Sequence, residues 1–310
     1  MIKRGARQGI GTLGLSGRYG YRSAADVDDM LALIVEHSEF VDTATVYGDY
    51  FSINEALSRH LSKGSSCKLV NKYGANISEP NGLDLLKKEF HDDVELFHIQ
   101  PPETVLIHRP STLNINRDVG FYQVVKNVLP NARFGITTNS YVVLSRYLKE
   151  MKIDVIQVAL NFCDYLQNRS LLALARDNDI TVQARSVLGS GLLSGTYDDQ
   201  TVTGLNDPLR GRFTETDVNY EVVKKRLSTV VHLRSIFEIF KDTLKTRDVT
   251  FSQFVYALSC YIDEVDEVIT GGSRVSQILE NISIPEALDE NFIKNTLDDQ
   301  FFIKCSAPYI

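Results

Sequence analysis

The sequence predicts an α/β protein, a closed parallel (β/α)8 barrel of the TIM type. It would form one domain over residues 1–310, with a helical insertion between the seventh and eighth strands. Three observations carry this. Short runs that are apolar on both faces alternate with helical patterns seven times, as buried parallel strands require. An eighth such run, Glu267 to Thr270, arrives late and is followed by a helical pattern of its own. The length, 310 residues, is one that a single barrel of this kind fills.

The elements follow in order. Gln8 to Leu15 reads as a Gly-rich strand and turn. Ala24 to His37 has Val27, Met30, Leu31, Ile34 and Val35 at helical spacing on one face. Then come strand 39–43, helix Ile53 to Leu61, strand 67–72 and helix Leu83 to Phe90. Strand 104–108 stops at Arg109-Pro110, because the residue before proline avoids the helical region and proline offers no N–H. Helix Phe121 to Val128 leads to strand Ala132 to Ile136, and helix Tyr141 to Met151 to strand Val155 to Leu160. Helix Ser170 to Arg176 leads to strand Ile180 to Arg185. The insertion opens with Thr196 to Asp217, polar and rich in Gly, Thr and Asp, which reads as a mobile loop. Tyr220 to Leu244 carries Val223, Leu227, Val230, Phe237, Phe240 and Leu244 at helical spacing, and a helix over Phe251 to Tyr261 closes the insertion. Helix Val275 to Ile282 follows the eighth strand, and the tail after Pro285 has some helical pattern before an extended aromatic end.

Composition narrows the function. A net charge of −7 argues against general nucleic-acid binding and against a polybasic membrane surface. No run approaches the 18 or so apolar residues that a membrane span needs. The first acidic residue is Asp26, yet the basic start is Gly-rich and has neither a helical apolar face nor the apolar core of a secretory signal. Cys67, Cys163, Cys260 and Cys305 are scattered, so free thiols in a reducing cytoplasm are expected. The histidines show no metal-ligand spacing, and no metal site is expected.

Three strand-like runs end in ionisable groups. Phe40-Val41-Asp42 ends on a carboxylate with Tyr47 one loop later, Cys67 to Lys72 ends on a lysine, and Thr104 to His108 on a histidine. In a parallel barrel the C-terminal ends of strands share one cavity, so Asp42, Tyr47, Lys72 and His108 would meet at its rim. A lysine closing an apolar strand is costly unless paired, and Asp42 is its natural partner. An ammonium fixed beside a phenol stabilises the phenolate, so Tyr47 could give a proton to an oxygen that is becoming an alkoxide. His108 would hydrogen-bond the same oxygen. Singly, each residue has an ordinary reading: a turn or cap aspartate, a packed tyrosine, a lysine reaching for water, a histidine on a carbonyl. All four in this order on successive strand ends favour a site.

These residues resemble the aldo-keto reductase superfamily, along nearly the whole chain. Gly11-Thr12 resembles its opening strand, and Val41 to Gly48 its D-T-A-x-x-Y-G signature. Asn71 to Gly74 resembles its T-K-hydrophobic-G segment, and Leu106 to Pro110 its L-I-H-R-P segment. Phe134 to Asn139 stands where the family writes I-G-V-S-N, and Val155 to Gln157 where it writes V-x-Q. Leu188 to Leu193 resembles P-L-G-x-G-L-L, and Ile269 to Asn281 resembles I-P-G-x-S…Q-x-x-E-N. The resemblance implies an NAD(P)H-dependent carbonyl reductase, with Asp42, Tyr47, Lys72 and His108 catalytic. It implies a cofactor lying extended across the rim, near Gly11 and Thr12, with the carboxamide at Thr137, Thr138 or Asn139 and at Gln157. The pyrophosphate falls to Ser186, Leu188, Ser190 and Gly191, and the adenosine end to Gly272, Ser273, Arg274, Gln277 and Asn281. Ser273 is the expected N-cap of the helix that receives phosphate.

The departures are informative. Arg185 stands where many members stack an aromatic ring on the nicotinamide, and a guanidinium can stack there or reach an anionic or hydroxyl-rich substrate. Gly271 replaces a lysine that some members set against the 2′-phosphate; Arg274 could take that part, which favours NADPH over NADH. His91 to Glu103 lacks the usual lead-in to the fourth strand. Arg18, Tyr19, Tyr50, Phe51, Asn76, Arg109, Asn114, Arg210 and Arg212 form the expected substrate surface. Their polarity suggests a sugar, or a sugar-like intermediate of polysaccharide or natural-product synthesis; a broad-range aldehyde reductase is the alternative. The competing expectations are a sugar dehydrogenase or redox epimerase on the same site, and a catalytically silent cofactor-binding regulator.

Overall fold

The computed structural model describes residues 5–17, 20–48, 52–76, 82–195, 218–244, 249–282 and 296–306. Eight strands close into one parallel barrel in sequence order: β1 Arg7–Gly11, β2 Phe40–Ala44, β3 Lys68–Tyr73, β4 Thr104–Ile107, β5 Arg133–Thr137, β6 Val155–Ala159, β7 Thr181–Arg185 and β8 Glu267–Gly271. The ring closes where β8 pairs with β1, Arg7 opposite Glu267 through Gly11 opposite Gly271.

Helices return the chain between strands: α1 Ala24–His37, α2 Ile53–Ser58, α3 Leu83–Leu96, α4 Ile115–Val128, α5 Tyr141–Tyr147 and α6 Tyr165–Asp177. The insertion between β7 and β8 supplies α7 Val218–Leu244 and α8 Phe251–Ser259; α9 Val275–Ile282 and α10 Asp299–Ser306 follow. α1 starts at a reciprocal cap between Ser23 and Asp26 and buries the five apolar residues its spacing picks out. α7 buries Val230, Leu233, Phe237 and Phe240, and the Thr229 hydroxyl donates to the Cys305 carbonyl in α10. The expected loop over Thr196 to Asp217 lies outside the described residues, and so do the side chains of Val223, Leu227 and Leu244.

Boundaries shift where polar contacts decide. α3 runs six residues past Phe90, because Asp93 is drawn inward by three side-chain donors. α2 and α5 stop short of Leu61 and Met151, finishing in tight turns.

Inside the barrel, Phe40, Val70, Leu106, Val155 and Ile269 form an apolar layer. Gly135 makes the close packing there attainable, since a β-carbon on it would lie 2.0 Å from the Val155 carbonyl oxygen. All four cysteines are free and buried. No helix among the described residues is long and apolar enough to cross a membrane.

Candidate active site

Strand register places the site. Ala44 pairs with Lys72 while Asp42 pairs with Val70, so Asp42 and Lys72 stand two residues apart in register on neighbouring strands and share one face of the sheet. Lys72 Nζ lies 2.6 Å from Asp42 Oδ2, with Lys72 2% and Asp42 4% exposed. Burial pushes the Lys72 pKa down; Asp42 opposes that shift, and the nearby Arg185 charge adds to it. Tyr47 sits on the turn after β2, held by its N–H on the Ala44 carbonyl at 3.0 Å and by its carbonyl, which accepts from the Ile53 N–H at 3.2 Å. The Lys72 nitrogen is 5.3 Å from the centre of the Tyr47 ring.

His108 follows β4, where its N–H donates to the Tyr73 carbonyl at 2.8 Å and its own carbonyl accepts from the Thr137 hydroxyl. Its ring meets Tyr47 edge-on, 6.0 Å between centres. Burial, then the charges of Lys72, Arg109 and Arg185, lowers the His108 pKa to about 3. The imidazole is therefore neutral at physiological pH, a hydrogen-bond donor and not an acid. All four sequence-selected residues come together.

The residues assigned to a dinucleotide form an arc along the same rim. Gly11 leaves room over the ion pair: a β-carbon there would stand 3.6 Å from Asp42 Oδ2. The Thr12 hydroxyl is buried and donates to Thr43 Oγ1 at 3.0 Å. Thr138 Oγ1 accepts from the Ser140 N–H, and the Asn139 amide bridges to Ala159 and Asn168 across β5 and β6. Gln157 is buried, and its Oε1 has no partner among the described residues. After β7, Ser186, Gly189, Ser190 and Gly191 all take positive φ, a turn that suits glycine and strains serine. Leu188 is half-buried within it, and Arg185 Nη1 lies 3.4 Å from the Ser186 hydroxyl.

At the far end Gly14 and Gly272 are in backbone contact, and Asn281 Nδ2 donates to the Gly271 carbonyl at 3.2 Å. Ser273 is not the N-cap expected of it. α9 begins at Val275, the Arg274 carbonyl accepts from the Ile278 N–H, and the Ser273 N–H donates instead to Gln277 Oε1. An orphaned buried acceptor, a glycine-dependent turn and a backbone contact that tolerates no side chain suit an extended dinucleotide.

Asn76 and Arg109 line a cavity of about 520 Å³ beside His108, together with Ser111 and Asn114. Its wall is anchored by the Tyr147 hydroxyl, which accepts from the Ser111 N–H and donates to Asp118, itself paired with buried Arg117. Arg18, Tyr19, Tyr50, Phe51, Arg210 and Arg212 lie outside the described residues.

Two polar networks escaped the sequence. On the outer faces of β2 and β3, Asp93 accepts from Asn54 (2.8 Å), Asn71 (2.6 Å) and Tyr73 (2.6 Å), while Asn54 accepts from Thr43. Inside the barrel, Gln157, Gln183 and Glu267 continue the chain of contacts from Asp42. The one available signal was a polar residue within strands otherwise apolar, outward for Thr43 and Asn71 and inward for Gln157 and Gln183.

Comparison with known proteins gives the family and the fold. The Aldo/keto reductase family model matches residues 132–296, more than half the chain. The chain belongs to the aldo/keto reductase family. Over its whole length it is similar to the glycerol dehydrogenase AKR11B4 from Gluconobacter oxydans, at 19% identity, 95% coverage of that chain and a TM-score of 0.73. The holo form of the aldo-keto reductase AKR11C1 from Bacillus halodurans matches 98% of this chain and 92% of its own, at 16% identity and a TM-score of 0.67. At such identities these likenesses concern the fold. A 61-residue segment is 39% identical to the NADH-specific methylglyoxal reductase of Escherichia coli (strain K12), spanning 20% of this chain and 19% of that relative.

Proposed function

We propose that residues 1–310 act as one unit, an NAD(P)H-dependent reductase of aldehydes or ketones with Tyr47 as its general acid. The observation that carries this reading is the buried Lys72–Asp42 pair, with the Tyr47 ring 5.3 Å from the ammonium. A bound reduced nicotinamide supplies a hydride to the carbonyl carbon. Tyr47 gives its phenolic proton to the carbonyl oxygen as negative charge develops there, the Lys72 ammonium stabilises the phenolate, and Asp42 holds the ammonium. Neutral His108 donates an N–H to the same oxygen and fixes its direction.

Gln157 Oε1 is the acceptor offered to the carboxamide. Ser186, Leu188, Ser190 and Gly191 receive the pyrophosphate, while Gly272, Ser273, Arg274, Gln277 and Asn281 receive the adenosine end. Preference for NADPH rests on Arg274 alone, and the named relative is NADH-specific, so both cofactors belong in the test. Arg109, Arg185 and Asn76 at the mouth suit a small polar carbonyl compound.

Tyr47→Phe should lower turnover of a model aldehyde at least about a hundredfold, the lower range for loss of a general acid. Calorimetric affinity for NADPH and NADH should stay within about twofold, since the phenol contributes to the transition state and not to cofactor binding. Unchanged turnover removes Tyr47 as the acid.

A further inference from the structure

We propose that Gln183 is a positioning residue for this site, the middle link of a hydrogen-bonded column running through the barrel from the Asp42–Lys72 pair to an ion cluster at the opposite end. The proposal rests on the carbonyl-reductase reading for its kinetic consequences only.

The column is continuous. Asp42 Oδ1 accepts from Gln157 Nε2 at 2.7 Å, and the same nitrogen donates to Gln183 Oε1 at 3.2 Å. Gln183 Nε2 donates to Glu267 Oε2. Glu267 Oε1 pairs with Arg7 Nη1 at 3.0 Å and Arg133 Nη1 at 2.9 Å, and both guanidiniums also reach Glu103. Asp42, Gln157, Gln183 and Glu267 are each at most 4% exposed, whereas the arginine side chains are 34% and 26% exposed. The buried Glu267 charge is thus met by two partly exposed arginines at the bottom of the barrel, and only amides cross its dry middle.

Chemistry fixes the direction of every link. A carboxylate only accepts, so Gln183 must turn its NH2 to Glu267 and its carbonyl to Gln157. Gln157 must likewise turn its NH2 to Asp42, and its second proton meets the Gln183 carbonyl. Both Gln157 protons are then occupied, which leaves Oε1 as the buried acceptor without a partner. Asp42 is gripped at both oxygens, Oδ2 by Lys72 and Oδ1 by Gln157. Removing Gln183 leaves a buried Gln157 N–H unmatched, and the amide can then turn over. The orientation of the Gln157 oxygen and of the Asp42 carboxylate loosens together. Gln183 touches no reacting group; it acts through its neighbours.

Two variants test this. Gln183→Met keeps length and removes both polar atoms. It should lower kcat for a model aldehyde about tenfold with aldehyde KM within twofold, and weaken calorimetric NADPH or NADH binding about fivefold, as loss of one buried hydrogen bond implies. Gln183→Glu reproduces the donor–acceptor pattern only as the neutral acid, whose O–H serves Glu267 and whose carbonyl serves Gln157. The charges facing it are Glu267 from β8, Asp42 from β2, Lys72 from β3, Arg7 from β1, Arg133 from β5, Arg185 along β7 and Glu103 ahead of β4. Cofactor affinity should be near wild type when that acid is protonated and fall toward the Gln183→Met value as pH rises. The ligand-free protein should show a matching fall in Tm that the wild type lacks.

Val155→Ala, a cavity in the neighbouring apolar layer, should cost stability while leaving the kinetics and pH profile unchanged. The proposal is overturned if Gln183→Met lowers Tm but keeps wild-type kcat and cofactor affinity. If that variant does not fold, flat pH profiles of Tm and affinity in Gln183→Glu overturn it. A wild type that turns over no carbonyl refutes the reductase reading instead, and the ligand-free Tm titration still decides the column.

Discussion

His108 gives the sharpest link between stability and mechanism. Its folded pKa is lowered from 6.5 to about 3 by burial and three neighbouring cations, and its Nδ1 has no partner among the described residues. The unfolded chain therefore takes up a proton at a pH where the folded chain does not. A group whose folded pKa is depressed in this way contributes stability that is intact above the unfolded value and is lost as pH falls toward the folded one. At pH 5 the unfolded state gains RT ln(1 + 10^1.5), which with RT near 0.59 is about 2 kcal/mol, while the folded state gains almost nothing.

His108→Asn removes that term. Urea denaturation of both proteins between pH 8 and pH 5 should show the stability difference moving by about 2 kcal/mol in favour of the variant, with the change beginning near the unfolded pKa. Other acid-labile groups cancel in the comparison. A difference that stays constant with pH, or moves against the variant, refutes the neutral imidazole. On the proposed reading, with Tyr47 as the acid and His108 neutral, kcat/KM for a model aldehyde should show no break near pH 6.5. A break there that disappears in His108→Asn would make the histidine the acid.

Two further outcomes follow from packing and charge. Lys72→Met leaves the Asp42 carboxylate, 4% exposed, without its cation; urea titration should show a loss of about 3–5 kcal/mol, and adding Asp42→Asn should recover part of it. Equal stabilities of the single and double variants would mean that the pair is not coupled. Gly135→Ala sets a β-carbon 2.0 Å from the Val155 carbonyl oxygen and 2.8 Å from Leu106, so strands must separate; the expected destabilisation is about 1–3 kcal/mol by the same assay. A neutral result would mean that β5 and β6 can part freely.

The barrel and the gathering of Asp42, Tyr47, Lys72 and His108 at its rim were legible in the sequence because each depends on local pattern. An apolar run closed by Asp42, Lys72 or His108 announces both the strand and the rim on which it ends. The column was not legible, because its links join residues brought together only by closure of the ring: Gln183 and Glu267 are 84 positions apart, and Gln157 and Asp42 are 115. The expectation of strands apolar on both faces holds for the layer of Phe40, Val70, Leu106, Val155 and Ile269. It fails at the inward Gln157 and Gln183 and at the strand starts, where buried Glu267 pairs with the partly exposed Arg7 and Arg133. Helix ends were misjudged for a related reason. Periodicity follows apolar burial, whereas α3 is prolonged by Asp93, a charged residue buried for its hydrogen bonds. Ser273 misled because a serine ahead of a helix is a common cap, whereas here Arg274 is the residue that flanks the helix and the Ser273 N–H donates to Gln277 Oε1.

The two networks explain why the ion pair sits on β2 and β3. Successive residues of a strand point to opposite faces, so Asp42 and Lys72 face the barrel axis while Thr43, Asn71 and Tyr73 face the helices. On the outer side Asp93 clamps Asn71 and Tyr73 directly and Thr43 through Asn54, with all four partners buried. Burial raises the Asp93 pKa and its three hydrogen bonds oppose that, so the clamp needs every donor in place. On the inner side Gln157 and Lys72 hold the two oxygens of Asp42. Lys72 thus lies between two residues fixed from behind and one carboxylate fixed from in front. An ammonium whose position is set from both faces of the sheet is what a phenol needs beside it if its proton is to be released at one point in space.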